Sequence, residues 1–106
     1  MESPEKPYRV VHAGQYLRQM KDLIGQAARL GSLAELATAV KSIQERLSAA
    51  PLGWGDPLYH LRYLELFLYR GTHAPLNVIY AVDKQRHLVY LTQVSPMPGR
   101  GYSQED

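Results

Sequence analysis

Apolar residues recur along the first half of the chain at alternating spacings of three and four. From Ala13 to Leu30 they fall at Tyr16, Leu17, Met20, Leu23, Ile24, Ala27 and Ala28, a stripe that predicts an amphipathic helix. Gly31 supplies the left-handed residue that ends a helix at low steric cost. Ser32, with Glu35 three residues on, has the form of a capping box, and Leu33, Leu36, Ala37, Val40, Ile43 and Leu47 carry the same period into a second helix. Two such helices joined by a turn form an antiparallel hairpin with one apolar face.

The pattern then changes. Pro51 stops the second helix and "PLGWGDP" (residues 51–57) reads as a loop. Short β-rich runs follow at Leu58 to Leu61, Tyr63 to Arg70, Leu76 to Val82 and His87 to Val94, and another, "YRVV" (Tyr8 to Val11), precedes the helices. In the second run Leu64, Leu66 and Leu68 alternate with Tyr63, Glu65, Phe67 and Tyr69, a period of two with two different faces. "RGTHAP" (70–75) and "DKQR" (83–86) are the expected hairpin turns. The order is β-α-α-β-β-β with room for a further strand: an α+β protein with a helical hairpin packed on one face of a small, mostly antiparallel sheet.

Residues 1–7 read as a flexible N-terminal arm, 8–95 as a single domain and 96–106 as a flexible C-terminal tail. With 106 residues and 45% hydrophobic content the chain can bury a core without staples. It has no cysteine, which excludes disulfides, thiol nucleophiles and cysteine metal sites. "MESPEKP" has no apolar run behind it, so neither a signal peptide nor a membrane span is expected, and a cytoplasmic location is the default. The net charge is +2, yet four of the ten acids, Glu2, Glu5, Glu105 and Asp106, lie at the extreme ends. The body is mildly basic, compatible with an anionic partner and well short of a nucleic-acid signature.

This order of elements, with "GDPLYHL" (55–61) and "NVIYAVD" (77–83), resembles the RelE/ParE superfamily of toxin-antitoxin toxins, and within it the YoeB-like branch of the RelE ribonucleases. That branch has a Glu-Pro-Leu stretch after the second helix and an Arg-Leu-Val-Tyr-Ala-Val stretch in a central strand. Here those places read Asp56-Pro57-Leu58 and Asn77-Val78-Ile79-Tyr80-Ala81-Val82. The resemblance spans Tyr8 to Val94. It implies an antitoxin protein as partner, with a homodimer equally allowed, and a target that is either messenger RNA on the ribosome or, in the ParE manner, gyrase. It implies no cofactor, because the family's ribonucleases cut without metal.

Such cleavage needs a base for the 2′-hydroxyl proton, cations for the charge that builds on the phosphate, and an acid for the leaving oxygen. Asp56 stands where the branch has its glutamate, one methylene shorter; its other reading is an Asp that initiates a turn before proline. The branch's arginine is replaced by Asn77, which donates a hydrogen bond but carries no charge. The family's C-terminal pair is missing, with Ser95, Pro96 and Met97 in its place. Arg62, Arg70 and Arg100 are the remaining candidate cations and Tyr102 the candidate acid, each also readable as a solvated residue at a strand end or in the tail. The catalytic set reads as degraded or rebuilt, and a noncatalytic interaction domain of the same fold is the alternative.

Other chemistry has less to stand on. His12, His60, His73 and His87 show no ligand spacing, and no phosphate loop or nucleophile elbow is present. Tyr59, Tyr63, Phe67 and Tyr69, with Asn77, form a candidate binding surface on one sheet face, where aromatics can stack bases or anchor a protein. The same face can instead carry the helices, which turns Leu64, Leu66 and Leu68 outward.

Overall fold

The computed structural model describes residues 7–97. In chain order it contains β1 (Arg9–His12), α1 (Gly14–Leu30), α2 (Leu33–Ala49), a single turn α3 (Pro51–Trp54), β2 (Asp56–Leu61), a 3-10 turn (Arg62–Leu64), β3 (Leu66–His73), β4 (Leu76–Asp83) and β5 (Leu88–Pro96). The five strands form one sheet in the order β1-β5-β4-β3-β2. β1 runs parallel to β5, and every other pairing is antiparallel. The helices cover one face of the sheet, as the α+β reading required.

The two long helices form where the apolar stripes predict them. Tyr16, Leu23 and Ala27 of α1 and Leu36, Ala39, Ile43 and Leu47 of α2 are buried against the sheet. Gly31 closes α1 at φ +73°, its N–H directed to the Ala28 carbonyl and the Ser32 N–H to the Ala27 carbonyl, a helix-ending pair of bonds that needs a left-handed residue. The expected capping box does not form. Ser32 sits at ψ 28°, outside the extended region an N-cap uses, and its hydroxyl makes no capping bond. Its backbone serves both helices instead, since its carbonyl accepts the Leu36 N–H.

Pro51 ends α2 and also opens α3, where a fixed φ and a missing N–H suit the first helical position. The stretch read as a loop is therefore one helical turn followed directly by β2, which starts at Asp56. Tyr80 holds this connection in place. Its hydroxyl donates to the Pro51 carbonyl (2.7 Å) and accepts from the Gly55 N–H (3.0 Å), while its ring stacks with those of Trp54 and Tyr69 at centroid distances of 5.7 and 5.4 Å. Burial pushes this hydroxyl up to about 12. Gly71 lies beneath the Trp54 ring, where any Cβ would collide with it.

The run from Tyr63 to Arg70 is not one strand. Arg62 to Leu64 form a tight turn, Glu65 takes φ +54°, and the chain reverses so that Leu61 pairs with Leu66. No glycine, proline or asparagine marks this turn, and the alternation runs through it without a break. β5 holds a second irregularity: Ile79 pairs with Gln93 and Tyr80 with Leu91, which leaves Thr92 as an extra residue. Its hydroxyl donates to the Ile79 carbonyl at 2.9 Å. The bulge brings Val94 onto the face that Val89 and Leu91 share, and all three are buried. β5 continues through Pro96, paired with Leu76, one residue into the segment expected as tail.

Two substitutions probe these devices. Tyr80→Phe leaves the Pro51 carbonyl and the Gly55 N–H without their partner, so urea unfolding should show a loss of about 1–3 kcal/mol. Asp83, 3% exposed, accepts the Arg86 backbone N–H (3.1 Å) and pairs with its guanidinium (2.9 Å) in the β4–β5 turn. These contacts, the backbone N–H foremost, hold its carboxyl below the usual value. A folded-state pKa lowered in this way contributes stability that is present above the unfolded value and lost as pH falls through the folded one. Melting temperature measured against pH should therefore fall more steeply on the acid side, below about pH 4, for the wild type than for Asp83→Asn.

Candidate functional site

Pairing in the ladder fixes which side chains share a face. Phe67 pairs with Val82, Tyr69 with Tyr80 and Gly71 with Val78, so these residues turn toward the helices. Leu68, Arg70 and Thr72 pair with Ala81, Ile79 and Asn77 and turn the other way, onto the face that, among the described residues, no helix covers. Phe67 and Tyr69 consequently belong to the core side, and the open face carries the leucines.

The expected grouping of Tyr59, Tyr63, Phe67 and Tyr69 therefore separates. Tyr59 pairs with Leu68 on the open face and is exposed. Tyr63 projects from the hairpin tip with its whole side chain in solvent. The reason is the turn at Arg62 to Leu64, which changes both the direction and the register of the chain between these residues.

The open face does bring together several of the candidate residues. Asp56 is the cross-strand partner of Arg70, which puts their β-carbons roughly 5 Å apart. Both are exposed and no ion pair joins them; among the described residues the ion pair formed is Arg86–Asp83. Asn77 lies one pair further along β4, its Oδ1 accepting the Thr72 hydroxyl at 3.0 Å. That bond leaves the amide hydrogens of Asn77 free to donate outward. From β5, Gln93 and Ser95 join the patch opposite Ile79 and Asn77. The patch is thus a carboxylate, one guanidinium, two amides and two hydroxyls on a flat, solvent-facing surface.

Arg62 is not part of it. It sits at the hairpin tip, six residues from Asp56, or about 20 Å at the rise of a strand. Arg100 and Tyr102 lie outside the described residues. Thr72 was legible as a neighbour of Arg70 at the strand period. The place of Gln93 depends on the Thr92 bulge, and no sequence signal marks it. Among the described residues no group of three His, Cys, Asp or Glu side chains is arranged to hold a metal ion, and no helix is long and apolar enough to cross a membrane.

The helical layer presents a second feature. On its outer side α1 and α2 leave an apolar groove of about 540 Å³ lined by Met20, Ile24, Leu33, Leu36, Ala37 and Val40. Ile24 and Leu33 are nearly half exposed. The apolar stripes of the two helices are wider than the sheet can cover.

No protein-family model matches the sequence, and no curated protein matches it. Solved structures do. The toxin-antitoxin complex RelBE2 from Mycobacterium tuberculosis contains a chain that superposes with a TM-score of 0.63 at 22% identity, covering 90% of this chain and 97% of that one. The archaeal RelE-RelB complex from Pyrococcus horikoshii gives 0.60 at 18% identity, covering 87% and 97%. The helical hairpin on one face of a five-stranded, mostly antiparallel sheet, matched over nearly the full length of both neighbours, is the RelE-like fold, and this chain has it.

Proposed function

We propose that this protein is the toxin of a toxin-antitoxin pair and that its acting surface is the open sheet face around Asp56, Arg70 and Asn77. The observation that carries this reading is the cross-strand pairing of Asp56 with Arg70 on an exposed face that no described helix covers, in a fold shared with the RelBE2 toxin-antitoxin complex and the archaeal RelE-RelB complex. As an endoribonuclease, Asp56 would take the proton of the attacking 2′-hydroxyl. Arg70 would offset the charge that builds on the phosphate, and Asn77 would add a neutral donor beside it. Tyr59, exposed on the same face, is positioned to stack against a base.

The partner in this reading is an antitoxin. Its amphipathic helix would lie in the groove between α1 and α2, whose apolar lining suits recognition by residues at helical spacing. A second reading, a noncatalytic domain acting on gyrase or another protein, is favoured by the single cation of the open-face patch. One guanidinium with neutral amides supplies less compensation for a dianionic transition state than a pair of cations.

Inducible expression in a bacterial host, with growth and mRNA ends followed together, separates the two. The wild type should arrest growth and create new mRNA ends. Arg70→Ala and Asp56→Asn should each lower cleavage on the order of a hundredfold. Arrest with unchanged mRNA ends would replace the ribonuclease reading with the noncatalytic one.

A further inference from the structure

On the opposite, helix-side face, at the end of the sheet beyond the helices, three side chains form a column that the toxin reading leaves unused. His60 of β2 pairs with Phe67 of β3, and their rings lie 4.0 Å apart and within 6° of parallel. The Lys84 ammonium stands 4.5 Å from the Phe67 centroid. His60 already occupies one face of Phe67, so Lys84, reaching from the β4 side, covers the other. The column therefore runs cation, ring, ring along the hydrogen-bonding direction of the sheet.

It ends in the open. β2 is the edge strand, so among the described residues no strand lies beyond His60. The residue is exposed, and among the described residues its only ring contact is with Phe67. The outer face of the imidazole is a flat surface held in a fixed orientation by the ring beneath it. One further planar group at the same spacing would continue the stack.

We infer that His60 is the terminal plate of a stacking site for one nucleobase of single-stranded RNA, with Lys84 behind it and Arg62 at the adjoining hairpin tip attracting the phosphates. The inference rests on the toxin reading for the choice of RNA and adds to it a contact outside the Asp56–Arg70 face. Charge argues for this occupant. Lys84 stands over Phe67, Arg62 follows His60 by two residues at the hairpin tip, Asp83 is engaged by Arg86, and Glu65 is the single acid at the tip. A base–aromatic stack beside such cations is how single strands are held without sequence preference. Tyr59 and His60, adjacent on the edge strand, point to opposite faces, so a strand passing over the edge of β2 meets a ring on each side.

The test uses the purified full-length chain and a short fluorescein-labelled single-stranded oligoribonucleotide, read by fluorescence anisotropy beside thermal melting. His60→Ala should weaken binding about tenfold or more, while His60→Phe, which keeps a flat ring, should stay within a few-fold of wild type. An abasic oligomer of the same length, which loses the stack on Tyr59 as well, should bind the wild type at least as weakly as the intact oligomer binds His60→Ala. Equal binding by wild type and folded His60→Ala overturns the inference. If His60→Ala does not fold, the wild type decides alone, and equal affinity for intact and abasic oligomers overturns it. Growth arrest with mRNA cleavage but no His60 effect on binding rejects the stack and leaves the toxin reading. RNA binding through His60 without arrest does the reverse.

Discussion

The Tyr80 hydroxyl, buried in mid-sheet, accepts the Gly55 N–H and donates to the Pro51 carbonyl, and through these two bonds it fixes how the helical layer hands the chain to the sheet. Leaving either backbone group unpaired in this setting carries a desolvation cost larger than the net gain of an ordinary hydrogen bond. Trp54 and Tyr69 both stack with the Tyr80 ring, and Gly71 leaves room for the indole. With Gly55 anchored, β2 must begin at Asp56 and meet β3 with Asp56 opposite Arg70. The candidate site is therefore a consequence of core packing on the other face of the same strands.

Two bulges tune that outcome. One, between Pro57 and Tyr59, leaves Leu58 unpaired and allows the strand to carry Asp56 and Tyr59 on the open face. The other, at Thr92, moves Val94 into the core and sets Gln93 and Ser95 beside Asn77. Each extra residue bends its strand and reassigns every side chain beyond it to the opposite face. A sheet with uninterrupted alternation could not place these polar groups together while burying Val89, Leu91 and Val94.

The surfaces that remain differ in chemistry. The open face combines one acid, one guanidinium and neutral donors. The groove between α1 and α2 is largely apolar, and a ring column that begins at Lys84 ends in the open at His60 on the edge of β2. Three distinct surfaces on so small a domain allow partners of different chemistry to be bound in different places. The thin sheet makes this possible, because adjacent residues on one strand, such as Tyr59 and His60, serve opposite faces.

The sequence by itself determined the helical hairpin, the order of elements along the chain and the α+β class, because amphipathic periods and the breaks at Gly31 and Pro51 are local properties written in residue spacing. The resemblance carried by "GDPLYHL" and "NVIYAVD" pointed to the same fold. Asp56, Arg70 and Asn77 could be named as candidates one at a time. Their meeting on one face could not be read, since cross-strand pairing joins residues far apart in the chain and its register is settled by burial of the whole sheet. The reversal at Arg62 to Leu64 was hidden for a related reason. Glu65 adopts a left-handed conformation that its own side chain does not favour, and the strand pairing on either side holds it there. Tertiary structure alone decided which face each aromatic serves, because that depends on a turn and two bulges whose energies are set by what they pack against.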